Sequence, residues 1–122
     1  MILAALLLQA AAMPPADWAG MPDYPLPPFS SRFDPSPYVR REVEAGRCRA
    51  EATGGIFRID SPVALLVDAG GVVQRIVPLA IGCPTVEQYT VGLVSSLARQ
   101  GVAGAALKPG WYRYVAGYRW TG

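Results

Sequence analysis

Two apolar runs on either side of Gly70-Gly71 constrain the fold of this 122-residue chain more than any other feature. The first run, residues 63–67, is apolar on both alternations, as in a strand covered on both faces. The second, residues 72–81, returns after Asp68-Ala69-Gly70-Gly71, whose residues suit a tight hairpin turn. Pro78 cannot donate a ladder hydrogen bond, so we expect its end of the return strand to lie on a sheet edge or to bend away.

A helix follows the hairpin. Thr85-Val86-Glu87-Gln88 matches a capping box, which predicts a helix start at Thr85. Arg99 and Gly101 suit the last turn and the stop. Between them, apolar or threonine side chains recur at helical spacing and form one face that has to be buried: Val86, Tyr89, Thr90, Leu93, Val94 and Leu97.

The last run, residues 111–120, alternates aromatic and other residues with period two, which predicts a strand. Together with the hairpin and the helix it predicts an α+β fold: a small antiparallel sheet, made of the β-hairpin and the C-terminal strand, with one main helix packed on it. One face of the strand carries Tyr112, Tyr114, Ala116, Tyr118 and Trp120, and the other carries Trp111, Arg113, Val115, Gly117 and Arg119.

Two further elements precede the hairpin. Helix formers after Pro37, with Gly46 placed as a stop, predict a short helix. Strand-forming residues at 56–59 follow the pair Gly54-Gly55, which indicates a turn. The order of strands around residues 48–59 stays open at this point.

The first twelve residues, MILAALLLQAAA, are apolar and uncharged. Small residues at 10–12 fit a cleavage site, so we interpret residues 1–12 as a signal peptide for export to the periplasm or beyond. The alternative is an uncleaved membrane anchor. As a helix, the segment with Met13 would span roughly 20 Å against about 30 Å of hydrocarbon, which is short for a transmembrane span.

Residues 13–37 contain eight of the twelve prolines. Such density removes main-chain donors and disfavours both helices and sheets. We interpret this region as a proline-rich disordered tether that leads to a folded domain at 38–122. The alternative is a docking strip, because Pro22-Asp23-Tyr24-Pro25 has P-x-x-P spacing and aromatic residues punctuate the prolines.

The two cysteines, Cys48 and Cys83, predict a disulfide, since an even count in a small exported chain usually means a bridge. A reactive thiol or a metal site is the alternative. The chain contains no histidine, so a zinc site would need carboxylates to complete it. We therefore predict neither a metal nor a cofactor.

Charge and chemistry exclude further functions. Without histidine, Ser–His and Cys–His nucleophilic systems cannot form, and the nine acidic residues show no spaced pair, so we do not expect an enzyme. The net charge is only +2. The densest basic cluster, near Arg40 and Arg49, is interleaved with glutamates, which does not favour a nucleic-acid partner.

The layout resembles the C-terminal domain of TonB, the energy transducer of the Gram-negative envelope. Pro37-Tyr38 before Arg40-Arg41-Glu42 and Gly46 is similar to the start of the family's first helix. Asp68-Ala69-Gly70-Gly71-Val72-Val73 is similar to its D-x-x-G-x-V hairpin, and Cys83-Pro84 before an apolar helix looks like a disulfide-bearing variant. The order of apolar N-terminus, proline-rich tether and α+β domain also resembles TonB.

The resemblance implies protein binding in the bacterial envelope, with a role in transport: an extended segment of an outer-membrane or periplasmic protein would add to the last strand. A membrane contact follows only if residues 1–12 stay uncleaved. Because the tyrosine face can pack on the helix, the expected partner contacts are Trp111, Arg113, Val115 and Arg119. The alternative function is a stand-alone secreted structural or inhibitor-like module with no transport role.

Overall fold

The computed structural model describes residues 13–26, 33–100 and 107–122. The predicted signal peptide at 1–12 and the predicted helix stop Gly101 lie outside the described residues. The α+β class is confirmed, with a four-stranded antiparallel sheet and two helices. The elements are a 3-10 turn at Trp18–Gly20, α1 at Ser36–Glu44, β1 at Glu51–Thr53, β2 at Ile56–Val67, β3 at Val73–Pro78, α2 at Pro84–Arg99 and β4 at Gly110–Thr121.

Strand β2 is the centre of the sheet. It pairs with β4 along its whole length, from Ile56 opposite Thr121 to Val67 opposite Gly110. Its other side is shared by β1, which pairs with the first three residues, and β3, which pairs with residues 63–67. The order around residues 48–59 is thereby resolved, and β3 and β4 form opposite edges of the sheet.

Both hairpins depend on glycine. Gly54 and Gly55, between β1 and β2, have φ of +59° and +80°, as the two central residues of a type I′ turn require. In the β2–β3 turn, Gly71 has φ +81°, and Asp68 Oδ1 accepts hydrogen bonds from the N–H groups of Gly70 and Val72, both at 2.9 Å. Pro78 is the last residue of the edge strand β3, as its missing donor led us to expect.

The helices cover one face of the sheet. Helix α2 packs on β2 and β3, and α1 packs on β4. Side chains at odd positions of β2 and even positions of β4 point to this face, because opposite residues in an antiparallel pair share a side. The core between sheet and helices contains the largest fully buried side chains: Tyr118, Leu65, Val39, Val63, Val67, Val86 and Val94.

The start of α2 differs from the capping box predicted at Thr85. The helix begins at Pro84, with Cys83 as its N-cap residue and no side-chain hydrogen bond from that cap. Instead, Glu87 Oε2 accepts from the N–H groups of Ile81 at 3.0 Å and Cys83 at 3.1 Å. Proline suits the first helical position because its φ is already helical, and the Glu87 carboxylate satisfies the amide groups beside it.

The predicted disulfide between Cys48 and Cys83 is confirmed, with 5.2 Å between the two Cα atoms. It joins the segment after α1 to the start of α2, and both residues are buried. The turn before Cys48 is held by Arg47, whose Nη1 donates to Glu42 Oε2 at 2.9 Å. Together these contacts fix α1 relative to α2.

Candidate functional site at the edge of β4

The tyrosine face of β4 is part of the core. Tyr112, Tyr114 and Tyr118 are at most 8% exposed. The Tyr118 hydroxyl donates to Thr90 Oγ1 at 2.7 Å, since the Thr90 hydrogen is committed to the Val86 carbonyl at 2.8 Å. Burial raises the pKa of Tyr118 to about 12. These aromatic residues therefore stabilise the fold and do not form a binding surface.

The four predicted contact residues lie on the other face of β4, which no α-helix among the described residues covers and which we name the helix-free face. Trp111 and Arg113 are half-buried, Val115 is 43% exposed and Arg119 is exposed. They stand in a row opposite residues 66, 64, 62 and 58 of β2. Eight residues of strand separate the first from the last, roughly 27 Å. The structure therefore gives a linear edge and does not bring the four side chains together in a pocket.

One residue of this edge, Arg113, is already paired with an extended segment of the same chain. Among the described residues, the N–H of Arg113 donates to the Pro22 carbonyl at 2.8 Å, and the N–H of Tyr24 donates to the Arg113 carbonyl at 2.7 Å. These two bonds form a parallel bridge between Asp23 and Arg113. Residues 18–24, which we name the strap, thus contribute a short extra strand outside β4.

Side chains hold the strap on both faces of the sheet. Arg113 Nη2 lies 3.2 Å from Asp23 Oδ1, and Arg113 Nη1 donates to the Trp18 carbonyl at 3.5 Å. On the helix side, Tyr24 is 4% exposed and packs edge-to-face on Tyr112, with 6.2 Å between ring centroids. The strap therefore passes from the helix-free face, round the β4 edge, into the core.

The strap is the main feature that differs from the sequence interpretation. Residues 13–37 were expected to be a disordered tether outside the domain, yet Met21 and Tyr24 are buried and α1 already begins at Ser36. Burial of two large apolar side chains offsets the ordering of this short segment. The P-x-x-P strip with its aromatic residues was the available signal, and β4 of the same chain is the receptor that the sequence could not identify.

The far end of the edge meets α1. Arg119 donates its N–H to Ser36 Oγ at 3.1 Å, and Ser36 N–H donates in turn to Asp34 Oδ1 at 3.0 Å. Val115 and Gly117 lie between this contact and the strap. In β4, the N–H and C=O groups that point away from β2 are therefore those of the odd-numbered residues. The four predicted contact residues are all odd-numbered.

For binding, the β4 edge offers main-chain donors and acceptors and the two cationic side chains of Arg113 and Arg119. In the described part of the chain, no three His, Cys, Asp or Glu side chains are grouped to hold a metal ion. No helix among the described residues is long and apolar enough to cross a membrane. Compared with protein-family models, curated proteins and solved structures, the chain has no significant match.

Proposed function

We propose that this chain is an exported, non-catalytic binding module of the bacterial envelope, which takes an extended segment of an outer-membrane or periplasmic protein onto the β4 edge and serves in transport. The observation that carries the proposal is the pairing of Asp23 with Arg113. The strap shows that this edge accepts an extended segment through main-chain hydrogen bonds, which is the mode of recognition proposed for the partner.

To displace the strap, a partner must replace its bonds at Arg113 and the burial of Met21 and Tyr24, which contributes about 1.5–3 kcal/mol for each side chain and is offset in part by the freedom that the strap regains. The strap bonds to β4 at a single residue, Arg113, and each of its two hydrogen bonds contributes about 1 kcal/mol net. Asp23 is largely exposed, so its ion pair with Arg113 adds less than about 1 kcal/mol. A partner strand that pairs with Val115 and Gly117 as well as Arg113 makes more such bonds than the strap does.

The side chains on the helix-free face would contact those of the partner and so determine which sequences bind. In this proposal Trp111 and Val115 contact apolar side chains, and Arg113 and Arg119 bind carboxylates. Arg113 already binds a carboxylate, that of Asp23. The four residues share one face of β4, because they are spaced at multiples of two along the strand. An added strand also presents every second side chain to that face.

The order of elements supports the TonB-like assignment. Helix α1, the β2–β3 hairpin, α2 and β4 follow one another as the resemblance implies, and the last strand lies at an edge of the sheet. In the segment before β4, Leu107-Lys108-Pro109 replaces the family's Trp-Arg-Phe-like motif. The proposal therefore concerns the binding fold and its exposed last strand.

The direct test is a titration with extended peptides derived from envelope receptors. We expect backbone amide shifts of Trp111, Arg113, Val115 and Arg119, and weaker binding on replacement of Val115 by Asp on the exposed face. Leu79→Asp, at an exposed apolar residue directly after the other edge strand β3, is the control. No response at millimolar peptide would contradict the proposal for the peptides tried.

Export has its own test. The non-reducing mass of the protein from fractionated cells should lack the first twelve residues and show a deficit of two protons for the disulfide. Retention of Met1 in the membrane fraction would overturn the periplasmic or secreted location. It would also leave the protein anchored, as a transducer needs to be.

The strap also favours one alternative. A stand-alone structural or inhibitor-like module would keep the β4 edge closed by its own strap, because an unpaired edge invites aggregation. In that case the strap would stay paired at every peptide concentration. The behaviour of the Tyr24 amide therefore separates the two functions.

A further inference from the structure

The strap runs parallel to β4, whereas the pairs formed among β1 to β4 are antiparallel. In a parallel pair, one residue bonds through its N–H and C=O to the two neighbours of the residue that it faces. Arg113 bonds in this way to Pro22 and Tyr24, and Asp23 faces it. The strap therefore shows the direction and the register in which an extended segment binds to the middle of the β4 edge.

This register gives two consecutive strap residues different surroundings. Asp23 lies on the helix-free face, where Arg113 Nη2 is 3.2 Å from its Oδ1. Tyr24 lies on the helix side, where it is 4% exposed and packs edge-to-face on Tyr112. An extended segment alternates its side chains between the two faces of a sheet. The edge therefore has one place for a carboxylate and, at the very next residue, one for an aromatic ring.

The strap leaves the edge directly after these two residues. The N–H of Leu26 donates to the Tyr24 carbonyl at 2.8 Å, across a γ-turn centred on Pro25. In a continued parallel ladder, that carbonyl would instead accept from Val115 N–H, and the Leu26 N–H would donate to the Val115 carbonyl. In the part of the chain that the structure describes, nothing bonds to the outward N–H and C=O groups of Val115 and Gly117.

We propose that the β4 edge selects a partner segment in which an acidic residue is followed directly by an aromatic residue and then by a strand-forming apolar residue, and that this segment binds parallel to β4. This selectivity rests on the function proposed for the β4 edge, to which it adds the sequence and direction of the partner. The carboxylate takes the place of Asp23 at Arg113, and the ring takes the place of Tyr24 beside Tyr112. Without a proline after the ring, the ladder continues past Val115, whose side chain meets the apolar one.

The strap of a second copy carries the same acidic–aromatic pair, but it competes poorly for this edge. The chain's own strap is connected to the domain through residues 25–35. Such a short connection gives an effective concentration on the order of millimolar, which an identical segment of another molecule does not reach at ordinary protein concentrations. A second strap also contains Pro25 and turns away at the same place. A partner that keeps the ladder beyond Arg113 gains bonds that no copy of the strap makes.

The probe is the peptide Met-Pro-Asp-Tyr-Val-Thr-Val, acetylated and amidated at its ends and titrated to millimolar concentration into the full chain with its disulfide intact. We expect amide shifts of Val115 and Gly117, and a loss of exchange protection at the Tyr24 amide as the strap is displaced. The matched control is Met-Pro-Asp-Val-Tyr-Thr-Val, which has the same composition but puts the ring and the carboxylate on one face. It should bind about tenfold more weakly, because its ring stays out of the core.

The carboxylate is tested separately. Asparagine in place of the peptide's aspartate should weaken binding to the unaltered chain about threefold, as the loss of a partly exposed ion pair predicts. In Arg113→Gln the two peptides should bind equally, because the cation that distinguishes them is gone. Arg119→Gln is the matched control. The peptide ends opposite Gly117, so the threefold difference should remain in that variant.

Two results would overturn the selectivity and leave strand addition at this edge intact. One is equal binding of the two peptides of the same composition, with shifts along β4 in both cases. The other is a threefold effect of the asparagine that persists in Arg113→Gln.

Two further results would reach beyond the selectivity. No shifts along β4 with any of the peptides, even when Tyr24→Ala weakens the strap, would overturn the function proposed for the edge as well. A dimer that forms on raising the protein concentration without peptide, and that Tyr24→Ala abolishes, would assign the edge to the strap of a second copy.

Discussion

The amide of Tyr24 donates to the carbonyl of Arg113 at 2.7 Å, so a residue of the proline-rich N-terminal region is part of the sheet. This single pairing changes the interpretation of both segments. The proline-rich region is a ligand of its own domain at this point, and the β4 edge is a site that already binds an extended chain.

Arg113 should hold the strap through its side chain as well as its main chain. Arg113→Ala removes the ion pair to Asp23 and the bond to the Trp18 carbonyl, but keeps the two main-chain bonds. We expect the Tyr24 amide to exchange with solvent roughly threefold to tenfold faster, as the loss of about 1 kcal/mol predicts. Arg119→Ala, on the same face, is the matched control. Unchanged exchange in Arg113→Ala would show that the side chain does not hold the strap.

Burial of the Tyr118 hydroxyl should make the fold sensitive to alkali. The pKa of Tyr118 is about 12 in the folded state against 10.0 for an ordinary tyrosine. The unfolded chain therefore loses this proton at a lower pH than the folded chain does, so stability is complete below about pH 10 and declines towards about pH 12. Tyr118→Phe should make that decline in melting temperature shallower, at a cost near neutral pH of about 1 kcal/mol for the lost hydrogen bond. An equally steep decline in Tyr118→Phe would assign the alkaline sensitivity to other groups.

The disulfide should supply a large part of the stability. Cys48 and Cys83 are 35 residues apart, and closure of a loop of that length contributes about 4 kcal/mol in the chain-entropy model. The double variant Cys48→Ala/Cys83→Ala should unfold at a clearly lower urea concentration, with α1 losing protection first because the bridge ties the segment after it to α2. A midpoint equal to that of the oxidised chain would contradict this role.

Asp68 should stabilise the β2–β3 hairpin only while it is ionised. Its pKa is lowered chiefly by the hydrogen bond from Val72 N–H and next by the Gln74 side chain, which lies 2.6 Å from Oδ2. A carboxylate with a lowered pKa contributes stability above its unfolded pKa of 3.8, and this contribution is lost as the pH falls through the lower folded value. Asp68→Asn should lower the melting temperature near neutral pH and reduce its fall in acid.

Asp17→Asn is the control for the hairpin prediction, because Asp17 is exposed and makes no capping hydrogen bond to the turn that follows it. It should leave the neutral-pH melting temperature unchanged. Equal melting temperatures for Asp68→Asn and the unaltered chain would show that the carboxylate does not support the turn.

Local patterns predicted much of this fold. The turn at Asp68–Gly71, the helix after Cys83, the alternation in β4 and the disulfide all depend on residues close in sequence or on a simple count of cysteines. The alternation also predicted that Tyr112, Tyr114 and Tyr118 would share a face, and the structure buries that face. The helix start was misplaced because the helix begins at Pro84, which has no N–H to satisfy, and because the Glu87 carboxylate, not Thr85, accepts from the Cys83 amide before it.

Long-range pairing could not be predicted in this way. Ser61 and Pro62 interrupt the apolar pattern of β2, yet full pairing with β4 carries the strand through them. The strap depends on which edges the sheet leaves open, and no residue spacing encodes that. In the proline-rich region, Tyr24 within the P-x-x-P strip was the available signal for docking, whereas nothing in the sequence pattern singled out Met21, which is also buried.

Competition between the strap and a partner for the β4 edge is the central claim, and one titration tests it directly. The unaltered chain, Asp23→Ala and the matched control Asp17→Ala are titrated with receptor-derived extended peptides while the amides of Tyr24 and Arg113 are followed. We expect both amides to shift as the peptide binds, Tyr24 to lose its protection from exchange, and Asp23→Ala to bind about threefold more tightly than Asp17→Ala, since less than about 1 kcal/mol of strap contact is lost. A Tyr24 amide that stays protected to saturation, with equal affinities in the three proteins, would contradict the claim.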